Sequence, residues 1–526
     1  MDSPYIKYLA VLACCIFTVV FTQQVSAGTD TIGKWQRHVI SIHNNSYDGN
    51  PFELPLGATF THVESGSTIV LPGYYSGGDT WKIGFMPNEE GEWTYVTFSD
   101  DPDLDGMRGS INCIGSDLTG MLKADPDHPR KWKFTDSGYV VPIALRVEFF
   151  SEPGTLEQFI TTTDFLQTHN MHLLETRLLE ETGQFAGRHD FIFDGDWRDH
   201  QFDLVVWDRM EARMSALTER GLGAHIMFYS DASGKPSWSD YSETEQLVIR
   251  YVIARLASYP VVIFNSGIDI AEYRDQSWVD WFGEQIRKLD PYGHPVSSRY
   301  GGGSGDLVMS GQTFDSRGAQ LATISEMTHF FETSDVPVSM DDAWGENRVS
   351  RPLKNFLPED IRRAFWKAVL AGGLGGLIRG ADGYFHISDL PDDLESEQWL
   401  KLINPFIISK LGDTFGAMVP ESSLVSNGYC LADPQRIRIL CYMVGRNDKW
   451  DSGGGGAVTI KLSGAKGWFE ANWFDTRTGS ELAAGRFEGG GDHHLKPPSK
   501  DDWVLLLSKI ANMAESAQPF SGSGFQ

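Results

Sequence analysis

The 526-residue sequence predicts a multidomain fold: a central (β/α)8 TIM barrel flanked by N-terminal and C-terminal β-sandwich domains. Three observations predict it. Residues from about 33 to 117, and again from about 422 to 509, carry short apolar or aromatic runs separated by Gly, Pro, Asn and Asp, which is the pattern of sandwiches. Between them, eight short apolar runs alternate with stretches that are apolar at three- and four-residue spacing, as βα units require. The composition, 41% hydrophobic and 12% aromatic, is that of a packed chain and not of a disordered one.

Taken in order, Lys7 precedes an apolar run from Tyr8 to Phe21 that is too short to span a bilayer, and polar residues then lead to the small Ala27. Residues 1–27 therefore read as a signal peptide, which predicts a secreted or periplasmic protein. A lipoprotein-type cut at Ala13-Cys14 is the alternative and would leave a lipid anchor. The N-terminal sandwich is assigned to 28–120, with strands expected at Trp35–Ile42, Phe60–Val63, Ser67–Leu71, Trp81–Phe85 and Trp93–Phe98.

The barrel is assigned to 121–420. Its strands are expected at Val140–Phe149, His172–Leu178, His225–Tyr229, Val261–Asn265, Val296–Arg299, Val308–Gln312, Val336–Met340 and Gly376–Ile378. Helices are expected at Thr155–His169, Trp207–Arg220, Glu243–Ser258, Gln276–Leu289 and Pro358–Leu370. The second sandwich is assigned to 421–510, and the Ser/Gly/Ala-rich residues 511–526 read as a disordered tail.

Charge and motifs exclude several classes of function. Lys and Arg number 44 against 71 Asp and Glu, a net charge of −27 that leader removal leaves unchanged, because Asp2 and Lys7 depart together. Nucleic-acid and anionic-membrane binders need a basic surface, so neither partner is expected. No Cys/His spacing resembles a zinc site, and the Gly-rich stretches lack dinucleotide and Walker spacing, so neither metal nor organic cofactor is expected. No motif speaks to oligomeric state. Cys430 and Cys441 flank the turn-like Asp433-Pro-Gln-Arg436 and either pair across a hairpin or stay two buried thiols. Asn44-Asn-Ser46 fits an N-glycosylation sequon.

In a TIM barrel the reacting groups stand at the carboxyl ends of the strands. The fourth expected strand runs on into Asp269 and Glu272, and the seventh into Asp341, Asp342, Trp344 and Glu346. Strands four and seven face each other across such a mouth. Two carboxylates there can protonate a glycosidic oxygen and attack the anomeric carbon, either directly or through water.

These residues lie within phrases that resemble a known group: Gly73-Tyr-Tyr-Ser-Gly-Gly-Asp79, Phe85-Met-Pro-Asn-Glu-Glu-Gly-Glu-Trp93-Thr-Tyr95, Arg255-Leu-Ala-Ser-Tyr-Pro260, Asp360-Ile-Arg-Arg-Ala-Phe-Trp366, Trp473-Phe-Asp-Thr-Arg-Thr-Gly479 and Asp502-Trp503. Nearly the whole mature chain resembles secreted, apiosidase-like glycoside hydrolases of the clan-A type. In that group an N-terminal sandwich of undefined role precedes the barrel, and a C-terminal sandwich that carries a collagen-binding label follows it. The resemblance implies an acid/base at Asp269 and a nucleophile at Asp342, with Glu346 matching a second glutamate. Both expected glutamates are aspartates here, and Ile268 replaces the usual asparagine, so each carboxyl is one methylene shorter. The alternatives are a site rebuilt on Asp, a wider gap that admits water and inverts, or a role for Glu272 or Glu346.

Arg146, Glu148, Glu175 and Arg177 lie in or after the first two strands, where they either position a sugar or close the barrel as ion pairs. His225, Tyr229, Trp238, Gln312, Trp344 and Arg379 border strand ends as candidate sugar-binding residues, with core packing as the alternative for each aromatic. Trp197 and Trp207 lie in a long Asp-rich connection after strand two. The expected function is hydrolysis of O-glycosidic bonds in a polysaccharide or glycoconjugate. The rivals are a catalytically inactive carbohydrate-binding relative and a polysaccharide lyase using His225, Tyr229 and Arg299.

Overall fold

The computed structural model describes residues 30–182, 187, 189–230, 232–298, 313–315, 328, 331–333, 336–344, 357–371, 374–378, 387, 395–446 and 454–510. They fall into two compact units. One comprises residues 30–122, Phe149–Ile160 and Thr176–Val296; the other comprises Lys123–Glu148, Thr161–Glu175 and the described residues from Ser297 on.

The first unit begins with eight strands: β1 (Asp30–Gly33), β2 (His38–His43), β3 (Leu56–His62), β4 (Thr68–Pro72), β5 (Tyr74–Gly77), β6 (Thr80–Phe85), β7 (Gly91–Ser99) and β8 (Arg108–Ile114). They form two sheets, ordered β1-β8-β7-β3-β4 and β2-β6-β5. Alternating apolar residues meet between them, with Phe60 of β3 stacked on Phe85 of β6 at 4.0 Å and Trp93 of β7 edge-on to Phe85. The sequon is corrected here. Asn44 is 6% exposed with its amide nitrogen buried, and its carbonyl oxygen accepts from Ser46 N–H and Oγ. An acceptor closed into such a turn has no room for a glycan.

Helices α1 (Leu156–Thr168), α2 (Leu204–Thr218), α3 (Glu243–Leu256) and α4 (Gln276–Leu289) follow. Side-chain oxygens of Asp203, Ser242 and Asp275 cap α2, α3 and α4, satisfying backbone donors that the first turn leaves open. Within the first unit, the N-terminal sheets are fastened to α2 and α3 by buried charge. Arg37 and Arg255 share the Glu211 carboxylate, which also accepts the Tyr74 hydroxyl at 2.8 Å. Arg255 lies 4.6 Å over the Tyr74 ring, and Tyr251 donates to the Tyr75 carbonyl at 2.8 Å.

The hydrogen-bonded order β12 (Ile143–Phe149), β13 (Leu173–Leu179), β14 (Gly223–Tyr229), β15 (Val262–Gly267), β16 (Val296–Ser298), β17 (Thr313–Asp315), β18 (Val338–Trp344) and β19 (Leu374–Ile378) closes on itself. Pairing is parallel for β14 with β15, and along β16-β17-β18-β19-β12. Three expectations need correction. The first strand starts at Ile143 and not at Val140, because Pro142 lacks the ladder donor, and Tyr139–Val140 (β11) pairs instead with β10 (Trp132–Phe134) in a small sheet completed by β9 (Leu122–Ala124). The sixth is Thr313–Asp315, built around Phe314, whereas Val308–Gln312 lies outside the described residues. The seventh continues through Asp341 and Asp342 to Trp344, so these acids stand within a strand and not after it.

In the second unit, α5 (Pro358–Leu370) starts at a proline whose missing N–H costs nothing at that position. It packs against a six-stranded sheet ordered β20-β21-β22-β27-β24-β25: β20 (Val419–Pro420), β21 (Tyr429–Ala432), β22 (Arg438–Met443), β27 (Trp503–Ile510), β24 (Trp468–Asp475) and β25 (Glu481–Glu488). Strands β23 (Val458–Lys461) and β26 (Asp492–Leu495) make a second layer over a core that includes Phe469, Trp473, Trp503 and Leu505. Cys430 and Cys441 are register partners on β21 and β22 and form a disulfide, which settles the choice left open above. Asp502, fully buried, accepts from Arg362 Nε at 3.0 Å, Arg363 Nε at 3.1 Å and Thr476 Oγ1 at 2.9 Å.

Candidate active site

Strand four ends in a conformation that its sequence explains. Gly267 has φ +149, and a Cβ there would sit 2.6 Å from the Tyr229 carbonyl, so only glycine fits. Ile268 N–H then donates to that carbonyl at 3.0 Å, and the chain turns left-handed at Asp269, φ +49. Few non-glycine residues adopt this region, though Asp is among those that do. Such strain gathers where a side chain is held for a purpose. Asp269 is half-buried and occupies the N-cap position of a one-turn helix, Ile270–Glu272, yet its side chain makes no capping bond there. Capping does not account for this acid. Glu272 is exposed and accepts from Ala232 N–H at 3.4 Å.

The neighbouring strand ends build a polar floor within the same unit. Arg177 donates through Nη1 to Glu180 Oε2 at 3.2 Å and to Ser230 Oγ at 2.9 Å; Ser230 Oγ donates to Glu180 Oε2 at 2.6 Å. All three are 4% exposed or less. The Arg177 guanidinium lies 5.4 Å from the Phe149 ring, which His189 stacks on at 3.7 Å, and His189 Nε2 bonds the Glu180 carbonyl at 2.9 Å. Glu180 and Ser230 were not singled out from the sequence, although each is the first residue past its strand. Reading strand two as ending at Leu178 hid Glu180.

His225 is buried, and its Nε2 stands 3.0 Å from Asn265 Nδ2. Asn265 Oδ1 already accepts Gly267 N–H at 2.8 Å, so the amide donates to His225 Nε2, whose lone pair is thereby taken. Tyr229 is fully buried and donates its hydroxyl to Glu245 Oε1 at 3.2 Å. Burial, then the negative charge of Glu245, pushes that phenol well above its usual range. Glu245 also accepts from Trp278 Nε1 at 3.2 Å and Tyr241 N–H at 2.5 Å, and burial raises its own carboxyl. Trp207 is core, its indole N–H donating to the Ile192 carbonyl at 3.2 Å. Trp238 is buried edge-on to Phe193 and to the half-buried Trp197, whose ring lies 4.4 Å from the Arg198 guanidinium.

In the second unit, Arg146 and Glu175 form a buried ion pair through Arg146 Nε and Nη2, and Glu148 is fully buried nearby in sequence on β12. Asp341 and Asp342 stand on β18, where pairing with β19 runs Met340 to Gly375 and then Ala343 to Leu377. Three steps on one strand match two on the other. One extra residue is therefore inserted across Asp341–Asp342, a bulge of the kind that strands carry beside active sites. Trp344 closes the strand opposite Ile378. Gln312, Glu346, Arg379 and Arg299 lie outside the described residues. Among the described residues, no group of three or more His, Cys, Asp or Glu side chains is gathered to hold a metal ion.

Comparison with known proteins adds names to parts of this chain. Residues 31–100 match the family described as "Domain of unknown function (DUF5060)", and residues 452–508 match the "Putative collagen-binding domain of a collagenase". No curated protein matches in sequence. Among solved structures, a "putative glycoside hydrolase" from Bacteroides vulgatus ATCC 8482 superposes with a TM-score of 0.75 at 17% identity, over 92% of this chain and 100% of that one. A glycoside hydrolase family 5 structure from the same organism superposes with a TM-score of 0.60 at 15% identity, over 74% of this chain and 94% of that one. A third, a glycoside hydrolase, gives 0.58 at 14% over 74% and 97%. The chain thus shares its fold with solved glycoside hydrolases. At these identities the likeness says nothing about individual residues.

Proposed function

We propose that the protein is an exported glycoside hydrolase of the apiosidase-like type, with its closed barrel of the (β/α)8 kind and its chemistry at the ends of strands four and seven. The carrying observation is Asp269, held in a left-handed backbone directly after β15 without any capping role. The bulge across Asp341–Asp342 supports the opposite side of the reading. Asp269 acts as the acid/base, protonating the leaving glycosidic oxygen. Asp342 attacks the anomeric carbon, or activates a water in an inverting variant. Arg177 and Glu180 orient the sugar from the end of β13, with the Arg146–Glu175 pair earlier along β12 and β13, and no metal or organic cofactor enters the reaction. The Cys430–Cys441 disulfide supports folding in an oxidising compartment, as a leader at residues 1–27 implies.

Release of reducing ends from a panel of plant and bacterial polysaccharides tests this, with Asp269→Asn and Asp342→Asn as controls. Asn tolerates the left-handed backbone at 269, so that variant keeps the fold. Each substitution is expected to lower turnover by at least about 10³-fold, since a proton donor or nucleophile is lost. Wild-type turnover in either variant removes the assignment. Glycan binding without any product from the unaltered chain would instead favour a non-catalytic relative. The lyase reading loses ground, because Tyr229 and His225 Nε2 are both engaged by neighbours.

A further inference from the structure

Away from the strand-end acids, the turn that leads into α3 displays an aromatic residue where the fold does not need one. Tyr241 is 43% exposed, and its backbone lies at φ +62. A bulky residue in that region is strained, and Gly or Asn would make the same turn at lower cost. The turn is nonetheless held firmly. Tyr241 N–H donates to Glu245 Oε2 at 2.5 Å, its carbonyl accepts from Gln246 Nε2 at 2.9 Å, and Ser242 N–H bonds the Ser239 carbonyl at 3.2 Å. Arg274, five residues beyond Asp269, pairs with Asp240 and lies 3.5 Å from Glu245, with its guanidinium 4.9 Å from the Trp278 ring. The ring of Tyr241 is therefore presented to solvent from a rigid base.

Trp281 of α4 stands against it, with ring centroids 4.9 Å apart and planes at 75°. Trp281 is only half-buried, so the two rings form an open corner. Among the described residues, neither the Tyr241 hydroxyl nor the Trp281 indole N–H has a hydrogen-bond partner. The exposed carboxylates of Asp240 and Asp275 act on the Tyr241 hydroxyl, and the exposed Asp280 precedes Trp281 in sequence. Perpendicular aromatic faces suit the C–H surfaces of a sugar ring, and the unused donors and nearby acceptors suit its hydroxyls. The surrounding negative charge disfavours an anionic sugar.

We propose that the Tyr241–Trp281 corner is an ancillary binding site for a neutral pyranose unit of a polysaccharide chain, separate from the strand-end acids. It extends the carbohydrate reading given above, but does not depend on catalysis. Native electrophoresis through gels containing mannan, xylan, mixed-linkage β-glucan or arabinogalactan tests it, using the Asp269→Asn chain so that hydrolysis does not erode the matrix. That chain is expected to be retarded by at least one gel. Tyr241→Asn or Trp281→Ala in the same background is expected to weaken the retardation by about tenfold, the loss of one stacking ring. Should Trp281→Ala fail to fold, Tyr241→Asn at its exposed position decides alone. No retardation in any gel, or retardation unchanged by Tyr241→Asn, overturns the proposal. Retardation by a wild-type chain that hydrolyses nothing supports it while removing the catalytic reading.

Discussion

Tyr273 donates its hydroxyl to the backbone carbonyl of Ser230 at 2.7 Å, tying the segment that carries Asp269 and Glu272 to the end of β14. Ser230 in turn is held through its Oγ by Arg177 and Glu180. One buried network thereby fixes the ends of three consecutive strands, and its effect on Asp269 is one of position. Tyr273→Phe deletes a single hydrogen bond and keeps the ring, so the stability loss should be about 1 kcal/mol. Steady-state kinetics on any polysaccharide the protein cleaves should show kcat down by about tenfold with KM little changed, because an acid displaced by a fraction of an ångström loses transition-state alignment. An unchanged kcat would show that the tether does not position the acid.

Glu211 pairs with two arginines at once, the fully buried Arg255 and the half-buried Arg37. Burial opposes the charge on Arg37 and Arg255, but neighbouring tyrosines and Glu211 hold both guanidinium groups above their ordinary range. Removing the shared carboxylate leaves Arg37 without its acidic partner and Arg255 with only the exposed Asp208. Glu211→Ala is expected to cost about 3–5 kcal/mol, as read from urea unfolding, whereas an exposed acid such as Glu243 should cost less than about 0.5 kcal/mol. A loss below about 1 kcal/mol would mean that water replaces the carboxylate and that this network does not fasten the N-terminal sheets.

These contacts show what the sequence made legible and what it hid. Gly73-Tyr-Tyr and Arg255-Leu-Ala-Ser-Tyr are distant in sequence but meet at Tyr74 and Arg255, and Asp360-Ile-Arg-Arg meets Asp502-Trp at the Arg362 and Arg363 contacts. Phrases that carried a resemblance are the mortar between layers, and for that reason they read clearly while saying little about catalysis. Helices α4 and α5 coincide with their apolar periodicity, because burial on one face imposes it. Strand β25 did not stand out, since Glu481–Glu488 is an edge strand largely exposed on both faces and carries no alternation. Glu245 is an acid in the first turn of α3. Its partners Tyr229 and Trp278 lie 16 and 33 positions away, so nothing local marks its burial. Likewise the turn at Asp269 and the bulge at Asp341–Asp342 are set by neighbouring strands and leave no composition signal.

The Cys430–Cys441 disulfide closes a short loop, with a sequence separation of 11 residues. Constraining the unfolded chain over such a loop is worth about 3 kcal/mol in the chain-entropy picture. Replacing both cysteines with alanine should therefore lower the unfolding midpoint of the C-terminal sheets while leaving turnover within about twofold, because β21 and β22 carry none of the proposed catalytic groups. Thermal unfolding with and without reductant, beside the Cys430→Ala/Cys441→Ala variant, provides the check. Identical midpoints for the oxidised wild type and the variant would contradict it.

Lys131 is the most exposed to test by pH, although its side chain is among the least exposed to water. It is 3% accessible, its amine lies 4.4 Å from the Phe415 ring centroid and 5.2 Å from that of Phe331, and the amine makes no hydrogen bond among the described residues. Burial lowers its pKa from 10.5 to about 7. Between those two values the unfolded chain holds a proton that the folded chain does not, so stability rises with pH through that window and is flat below it. The two rings recover part of the desolvation cost but do not remove it. Lys131→Met keeps the length and volume of the side chain and should stabilise the fold near neutral pH by roughly 2–4 kcal/mol. The gain should shrink as pH approaches 9.5, because the wild-type amine must give up its proton to fold and that cost falls as pH nears the unfolded value of 10.5. Urea midpoints of both chains at pH 6.5, 7.5, 8.5 and 9.5 measure this convergence. Parallel curves across that range would mean that the amine keeps its proton in the folded protein.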